Sequence, residues 1–351
     1  MADAERKETY AVKDDAQKPG FGKRAYVTGS TGFLGLNIIE QLLQDGWEVY
    51  ALRRSTSRTR DLDRFAVTQV EGDVTNPESL LNTMPDGVDA VFHGAADTST
   101  WVLNNDRQMR INVDGTRNVV AAALAKNAQR LVHTSSIGAY GKLDGVTLKE
   151  DTPSNAMTSG INYYKSKFLA EAAVHEGIGR GLDAVIMNPA QIVGPYDYNY
   201  TPLMLNSLLS GQMKGVPRGN SVCGHVRDYA RAHVVALEKG ACGENYLLGG
   251  VHASFQEIID TIGVIVGMKT PTMKLPSGLL SVLAVILEKV SYVTKKEPLL
   301  TPEKVQLMNH RIGIDSSKAE QVLGFSTCSL EEMFRDAYDW ALANGLLVAR
   351  R

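Results

Sequence analysis

Short apolar runs alternate with helix-like stretches through the first half of the chain, and this rhythm constrains the fold more than any other feature. The strand candidates are RAYVTG (24–29), WEVYAL (47–52), VTQVEGD (67–73), DAVFHGA (89–95), RLVHTSS (130–136) and DAVIMNP (183–189). Between them lie amphipathic segments such as FLGLNIIEQLLQDG and INVDGTRNVVAAALAKN. Strands separated by helices predict an α/β fold, a doubly wound parallel sheet covered on both faces. Ligands of such a sheet sit beyond the carboxyl ends of its strands.

The first strand runs into TGSTGFLG (28–35), which spaces Gly29, Gly32 and Gly35 three residues apart ahead of a helix. Such a turn lets backbone N–H groups approach a pyrophosphate at the positive end of the helix. Gly29, Thr31, Gly32, Phe33, Leu34 and Gly35 are therefore the candidate phosphate cradle of a Rossmann domain. The second strand ends in Arg53-Arg54-Ser55, with Ser57 and Arg58 close behind, where an acidic residue would accept a ribose 2′-hydroxyl. Guanidinium groups and hydroxyls suit a 2′-phosphate instead, so Arg53 and Arg54 predict NADPH rather than NADH. Arg58, Arg60 and Arg64 can be read as no more than a solvated basic loop.

After Pro195 the rhythm changes. Residues 196–221 are loop-rich, NYLLGG (245–250) is a strand expected to return to the main sheet, and FQEIIDTIGVIVG and SLEEMFRDAYDWALANG read as helices. The expected division is a mobile leader over 1–22, a dinucleotide-binding Rossmann domain from 23–194 plus 222–250, and a smaller, mostly helical substrate domain from 195–221 plus 251–351. At 351 residues the chain exceeds what one core usually serves.

Lys and Arg total 37 against 39 Asp and Glu, a net charge of −2, which offers no electrostatic footprint for nucleic acid or an anionic membrane. Cys223, Cys242 and Cys328 form no C-x-x-C pair, so unpaired thiols in a reducing, cytoplasmic setting are expected and no metal site is. The N-terminus has no apolar core of a secretory signal. The longest apolar run, LLSVLAVIL (279–287), is short for a bilayer span and is expected to be a buried helix of the second domain rather than a membrane-surface contact.

The stretch NYYKSKFLAE (162–171) crowds two tyrosines and two lysines together. On a helix, Tyr163–Lys167 and Tyr164–Lys167 can both share a face, so spacing alone leaves the pair open. A phenol near pKa ~10 is a poor proton-transfer group at neutral pH. A lysine ammonium one turn away is expected to lower that value. His93 and His133 fall in strand patterns and read as satisfied interior histidines.

Taken together, TG-x-x-GFLG, Asp73-Val74 in EGDVT, FHGAA at 92–96, Asn112-Val113-x-Gly115-Thr116, Thr134-Ser135-Ser136, Tyr163-x-x-x-Lys167 and Asn188-Pro189-Ala190 resemble, in order, the motifs of the extended short-chain dehydrogenase/reductase family. The likeness covers roughly residues 23–347 and is greatest to the dihydroflavonol reductase-like branch, with its related aldehyde and ketone reductases. The resemblance selects Tyr163 and Lys167 as the catalytic pair and Ser136, over its neighbour Ser135, as the group that steadies the substrate oxygen. It implies that Lys167 holds the nicotinamide ribose, Asp73 and Val74 contact the adenine, Ala95 and Ala96 leave room for the cofactor, and Pro189 and Ile192 lie on the nicotinamide side. Asn112 is a candidate for a proton relay, a role that is often structural in extended members. Thr98, Trp101, Tyr140, Gln191 and Tyr196 leave strand ends and are candidates to line the substrate pocket.

The resemblance thus implies an NADPH-dependent reductase of a ketone or aldehyde, acting on a small and bulky apolar carbonyl substrate. The alternative is a nucleotide-sugar epimerase or dehydratase with tightly held NAD. Against it, residues 196–227 offer only Lys214, Arg218 and Arg227 for a diphosphate. A non-catalytic dinucleotide sensor is a third reading, opposed by the intact Tyr163/Lys167/Ser136 set. Family members occur as homodimers, through the helices bearing Asn112 and Tyr163, or as monomers.

Overall fold

The computed structural model describes residues 18–142, 144–309 and 311–348, so most of the expected leader lies outside the described residues. Its last part is held down: the Gly20 N–H donates to the Asp45 carbonyl at 2.8 Å. Seven parallel strands make the main sheet. In chain order they are β1 (Arg24–Thr28), β2 (Glu48–Arg53), β3 (Thr68–Glu71), β4 (Ala90–His93), β5 (Arg130–Thr134), β7 (Ala184–Pro189) and β10 (Asn245–Leu248). The two-residue β6 (Thr147–Leu148) lies outside this sheet and pairs with β12 (Gly313–Ile314). The spatial order of the main sheet is β3-β2-β1-β4-β5-β7-β10. The order reverses between β1 and β4, the position beyond whose strand ends sheets of this kind bind their ligands.

Both faces of the sheet are buried, which is why its strands read as apolar runs rather than alternating ones. Ala25 and Val27 point to one face. Leu36, Ile39 and Leu42 of α1 (Phe33–Gln44), Tyr229, Ala232 and Ala236 of α7 (Val226–Lys239) and Ala319 and Leu323 of α11 (Ser317–Leu323) belong to the core on that side. Tyr26, between them, points to the other face. There it meets the layer formed by Leu80 of α2 (Pro77–Thr83), Val119 and Ala123 of α4 (Gly115–Ala125) and Val174 of α5 (Asn162–Ile178). Each large aliphatic side chain buried in this way contributes about 1.5–3 kcal/mol.

The chain leaves the main sheet at Ala190. A second sheet pairs β8 (Gln191–Val193) with β9 (Asn220–His225) in parallel and β9 with β11 (Val251–Ser254) in antiparallel. The strands on either side of the long loop therefore belong to the second sheet, while β10 returns to the edge of the first. Helices α6 (Tyr200–Leu209), α8 (Phe255–Val266) and α12 (Leu330–Ala343) close a core over this second sheet. α8 and α12 each open with a capping box, Ser254 with Glu257 and Ser329 with Glu332, which satisfies N–H groups that a helix start leaves bare.

One expectation fails. The run 279–287 belongs to α9 (Ser277–Thr294), and this helix is not buried: only Ala284 and Ser291 are, while Leu279, Val282, Ile286 and Val293 are 63%, 59%, 53% and 85% exposed. The core over the second sheet is already filled by α6, α8 and α12, so α9 lies on the surface, against α10 (Pro302–Met308). The three cysteines are unpaired, as expected.

Candidate active site

Two glycines shape the turn after β1. Gly29 has φ +71°, and a Cβ there would stand 2.7 Å from backbone atoms of Gly94 and Ala95, where β4 ends. A Cβ on Gly35 would strike the Gly29 carbonyl oxygen. Only glycine lets the turn, the start of α1 and the exit of β4 approach this closely. Ser30 donates to the Leu52 carbonyl at 2.6 Å and pins the turn to β2. Gly32 caps α1 without a side chain, and the first turn of α1 carries no acid. The turn that includes Thr31, Phe33 and Leu34 thus presents helix-start N–H groups and no competing carboxylate, which fits a diphosphate.

Beside it, Arg53 is engaged: its guanidinium donates to Gln69 Oε1 at 3.1 Å and to Glu71 Oε2 at 3.2 Å. Arg54 is exposed, and its N–H donates to Ser57 Oγ at 3.0 Å. Arg58 is not merely solvated; its guanidinium lies 3.7 Å from the Tyr198 ring centroid. Asp73 Oδ1 accepts from both the N–H and the hydroxyl of Thr75 at 2.8 Å. Val74 is buried where α4 begins, against Gly115.

Tyr163 and Lys167 sit on α5, four residues apart. The phenol lies beside the Ser136 side chain, and Ser136 Oγ accepts from the Gly138 N–H at 3.0 Å. Contrary to the expectation of a lowered value, burial holds the Tyr163 pKa above its ordinary range, with the Ser136 side chain acting the other way. The reason is the orientation of Lys167, whose Nζ donates to the Thr134 carbonyl at 3.0 Å rather than to the phenol. Burial pushes the Lys167 pKa down to about 8, against the pull of Glu171.

The sequence reading passes over Glu171. Its carboxylate accepts from Ser135 Oγ, from Asn188 Nδ2 at 2.6 Å and from Asn245 Nδ2 at 3.2 Å. Tyr163, Lys167 and Glu171 follow at intervals of four, a face that NYYKSKFLAE already contains. Ser135 turns to Glu171 and Ser136 to Tyr163, as successive strand-end residues should. Tyr164 is buried against Ala156 and Ile161.

Asn112 is spent on structure. Its Oδ1 accepts from the Asp97 N–H at 2.7 Å, and its Nδ2 donates to the Asp97 carbonyl and to Ser166 Oγ, each at 2.9 Å. It clasps the loop leaving β4 to α5, a positioning role with its amide fully used. Gln108 of the short α3 (Asn105–Met109) donates to the same Asp97 carbonyl at 3.1 Å and steadies the loop from its other side.

The pocket candidates do not converge. Trp101 is buried and donates Nε1–H to Ser291 Oγ of α9 at 2.8 Å, while Thr98 and Ala96 are exposed on the same loop. Ala95 N–H reaches Thr28 Oγ1 at 3.3 Å. Tyr140 is core instead of lining, packed with Leu148, Val222, Leu247 and Ile314. Tyr196 is drawn the other way, edge-on to Phe65 and Trp340. Gln191 is half-buried in β8, Ile192 packs on the main core, and Pro189 is buried opposite Leu248.

Burial keeps both strand histidines neutral. His93, with its pKa lowered to about 3, bonds Thr28 and Thr116. His133 is not satisfied as expected: neither ring nitrogen has a hydrogen-bond partner among the described residues. Its ring lies 5.3 Å from that of His93.

Comparison with known proteins agrees with this geometry. Residues 25–249 match the model of the NAD dependent epimerase/dehydratase family. A putative dihydroflavonol 4-reductase from Synechocystis sp. is 32% identical over 91% of this chain and 95% of that protein. Sterol demethylase protein B from Methylococcus capsulatus is 31% identical over 92% of this chain and 99% of its own length. The crystal structure of gox2253 superposes with a TM-score of 0.81 at 31% identity, covering 93% of this chain and 100% of that one. With the seven-stranded sheet, the glycine turn and the α5 tyrosine–lysine pair on one side and these relatives on the other, the chain belongs to the NAD dependent epimerase/dehydratase family of extended short-chain dehydrogenases/reductases, in its dihydroflavonol reductase-like branch.

Proposed function

We propose that this chain is an NADPH-dependent reductase of ketones or aldehydes on bulky apolar substrates. The observation that carries the reading is that α5 sets Tyr163 beside Ser136 and one turn from Lys167, with the phenol's pKa raised by burial. A phenol that keeps its proton at pH 7 is suited to donate it to an oxygen that is gaining charge, and Ser136 would donate a second hydrogen bond there. The bound nicotinamide supplies the hydride. Lys167, held by the Thr134 carbonyl, supplies positive charge one helical turn from the tyrosine, and Glu171 holds the Ser135 turn in place.

The apolar character of the substrate is supported by relatives. These include 2-alkyl-3-oxoalkanoate reductase of Shewanella oneidensis and the 4-hydroxy-2-methyl-3-oxo-4-farnesyl-3,4-dihydroquinoline-1-oxide ketoreductase of Stigmatella aurantiaca. The epimerase alternative is weakened because two of the three basic residues it could use are engaged; the third, Arg218, is exposed. Arg227 is paired with Asp336 at 2.7 Å, and Lys214 donates to the Gly211 carbonyl at 2.8 Å. NADPH oxidation should appear with long-chain and polycyclic ketones; conversion of a UDP-hexose with NAD retained through purification would reverse the assignment.

NADPH preference is assigned to Arg54, since Arg53 is shared with Gln69 and Glu71. Arg54→Glu should raise the KM for NADPH about 10–100-fold, the worth of a charge-assisted hydrogen bond, with little change for NADH. An unchanged NADPH KM would remove Arg54 from the site.

The rate should also depend on pH through Lys167. Its ammonium is the form that supplies charge, and its pKa is about 8, so the rate should fall as pH rises through that value. Lys167→Arg, which stays charged, should flatten this alkaline limb even where its maximal rate is lower.

A further inference from the structure

The surface of α9 runs against the usual rule for a solvated helix. Leu279, Val282, Leu283, Ile286, Val290 and Val293 follow the spacing of a single helical face, and all are exposed. The buried positions, Ala284 and Ser291, lie on the opposite side. The outward stripe is thus apolar where water would select polar groups.

We propose that α9 is an interfacial helix that seats the protein on an anionic phospholipid bilayer surface. Charge decides the occupant. Lys289 borders the stripe, three residues from Ile286 and four from Val293, and Lys295 and Lys296 follow at its end; all three are exposed. The acids of the segment are engaged or turned away: Glu288 is half-buried, and Glu297 accepts from Ser99 Oγ at 2.9 Å and Asn104 Nδ2 at 3.3 Å. An apolar stripe rimmed by lysines matches acyl chains below and phosphates above. A second copy of this chain would bring the same lysines and no carboxylate on that face to meet them.

The helix lies on the membrane rather than through it. By length and composition alone it could cross one. At 18 residues, however, it reaches about 27 Å, short of the ~30 Å hydrocarbon core. Its C-terminal half is also tied to the body by the Trp101–Ser291 hydrogen bond, and the chain just beyond it by the Ser99–Glu297 bond. The same bonds join it to the loop that Asn112 clasps beside α5. The overall charge of −2 is consistent with a local patch and not a globally basic protein. The proposal stands apart from the substrate reading and holds for either reaction.

The test is co-sedimentation of the full-length protein with vesicles of phosphatidylcholine, with and without phosphatidylglycerol. Wild type should pellet with the anionic vesicles at low salt and be released at high salt. Leu283→Glu/Ile286→Glu should reduce binding at least about tenfold. Lys295→Gln/Lys296→Gln should weaken it about fivefold per lysine on anionic vesicles only. Both variants should keep the thermal midpoint of wild type, which separates lost docking from lost folding. Failure of wild type to pellet with anionic vesicles at low salt would overturn the proposal. So would a wild-type dimer that Leu283→Glu/Ile286→Glu splits without any vesicle binding, because the stripe would then belong to a second copy.

Discussion

Tyr163→Phe is expected to lower kcat by about 10²–10⁴-fold, the usual span for a general acid, while the dissociation constant for NADPH stays nearly unchanged. The substitution removes one hydroxyl from a ring that packs on the cluster of Ala156, Ile161 and Tyr164, so the fold should not notice it. What disappears is the hydroxyl proposed as proton donor, beside Ser136. Stopped-flow NADPH oxidation with cofactor fluorescence titration separates the two quantities. If turnover persisted near the wild-type rate, another group would have to deliver the proton, and neither Ser135 nor Tyr164 is available. Ser135 is committed to Glu171. Tyr164 is packed so closely under Gly138 that a Cβ on that glycine would stand 2.6 Å from its ring.

Gly35→Ala should have the second large effect, on folding and cofactor binding together. The added methyl would strike the Gly29 carbonyl oxygen, a backbone atom that cannot rotate away. Overpacking of this kind costs about 1–3 kcal/mol, and relief requires α1 to move off the turn that presents its N–H groups. The expected result is a lower thermal midpoint and an NADPH affinity reduced by at least about tenfold, a loss of roughly 1.4 kcal/mol or more. Gly278→Ala is the control. A Cβ there meets nothing within 4 Å, so this exchange in α9 should be neutral or stabilise by up to about 1 kcal/mol. Equal behaviour of the two variants in melting and fluorescence titration would show that the close approach at Gly35 carries no weight.

Much of the architecture is legible because its signals are local. The strand RAYVTG forms β1 at Arg24–Thr28, and FQEIIDTIGVIVG forms α8 at Phe255–Val266, closed by Gly267 at φ +66°. Glycine spacing marks a turn whose close contacts are real, and the family motif marks Tyr163 and Lys167, a choice that spacing alone leaves open. The partners of these groups are less legible. Spacing suggests that Lys167 lowers the tyrosine pKa, whereas its Nζ faces the Thr134 carbonyl and burial raises that pKa. Tyr140 and Tyr196 follow strand ends, where pocket residues belong. Their rings are claimed instead by clusters distant in sequence, around Leu148 and Ile314 and around Phe65 and Trp340.

Local pattern carries the alternation of strands and helices and the glycine-lined entrance to α1, while the choice of Tyr163 over Tyr164 on α5 rests on the family motif. Long-range packing sets the rest: Glu171 gathers Ser135, Asn188 and Asn245, Asn112 is a clasp, and the apolar helix α9 lies outside the core. A side chain's partner and its exposure depend on which remote segments pack against it in the folded chain. α6, α8 and α12 fill the second core and leave α9 at the surface.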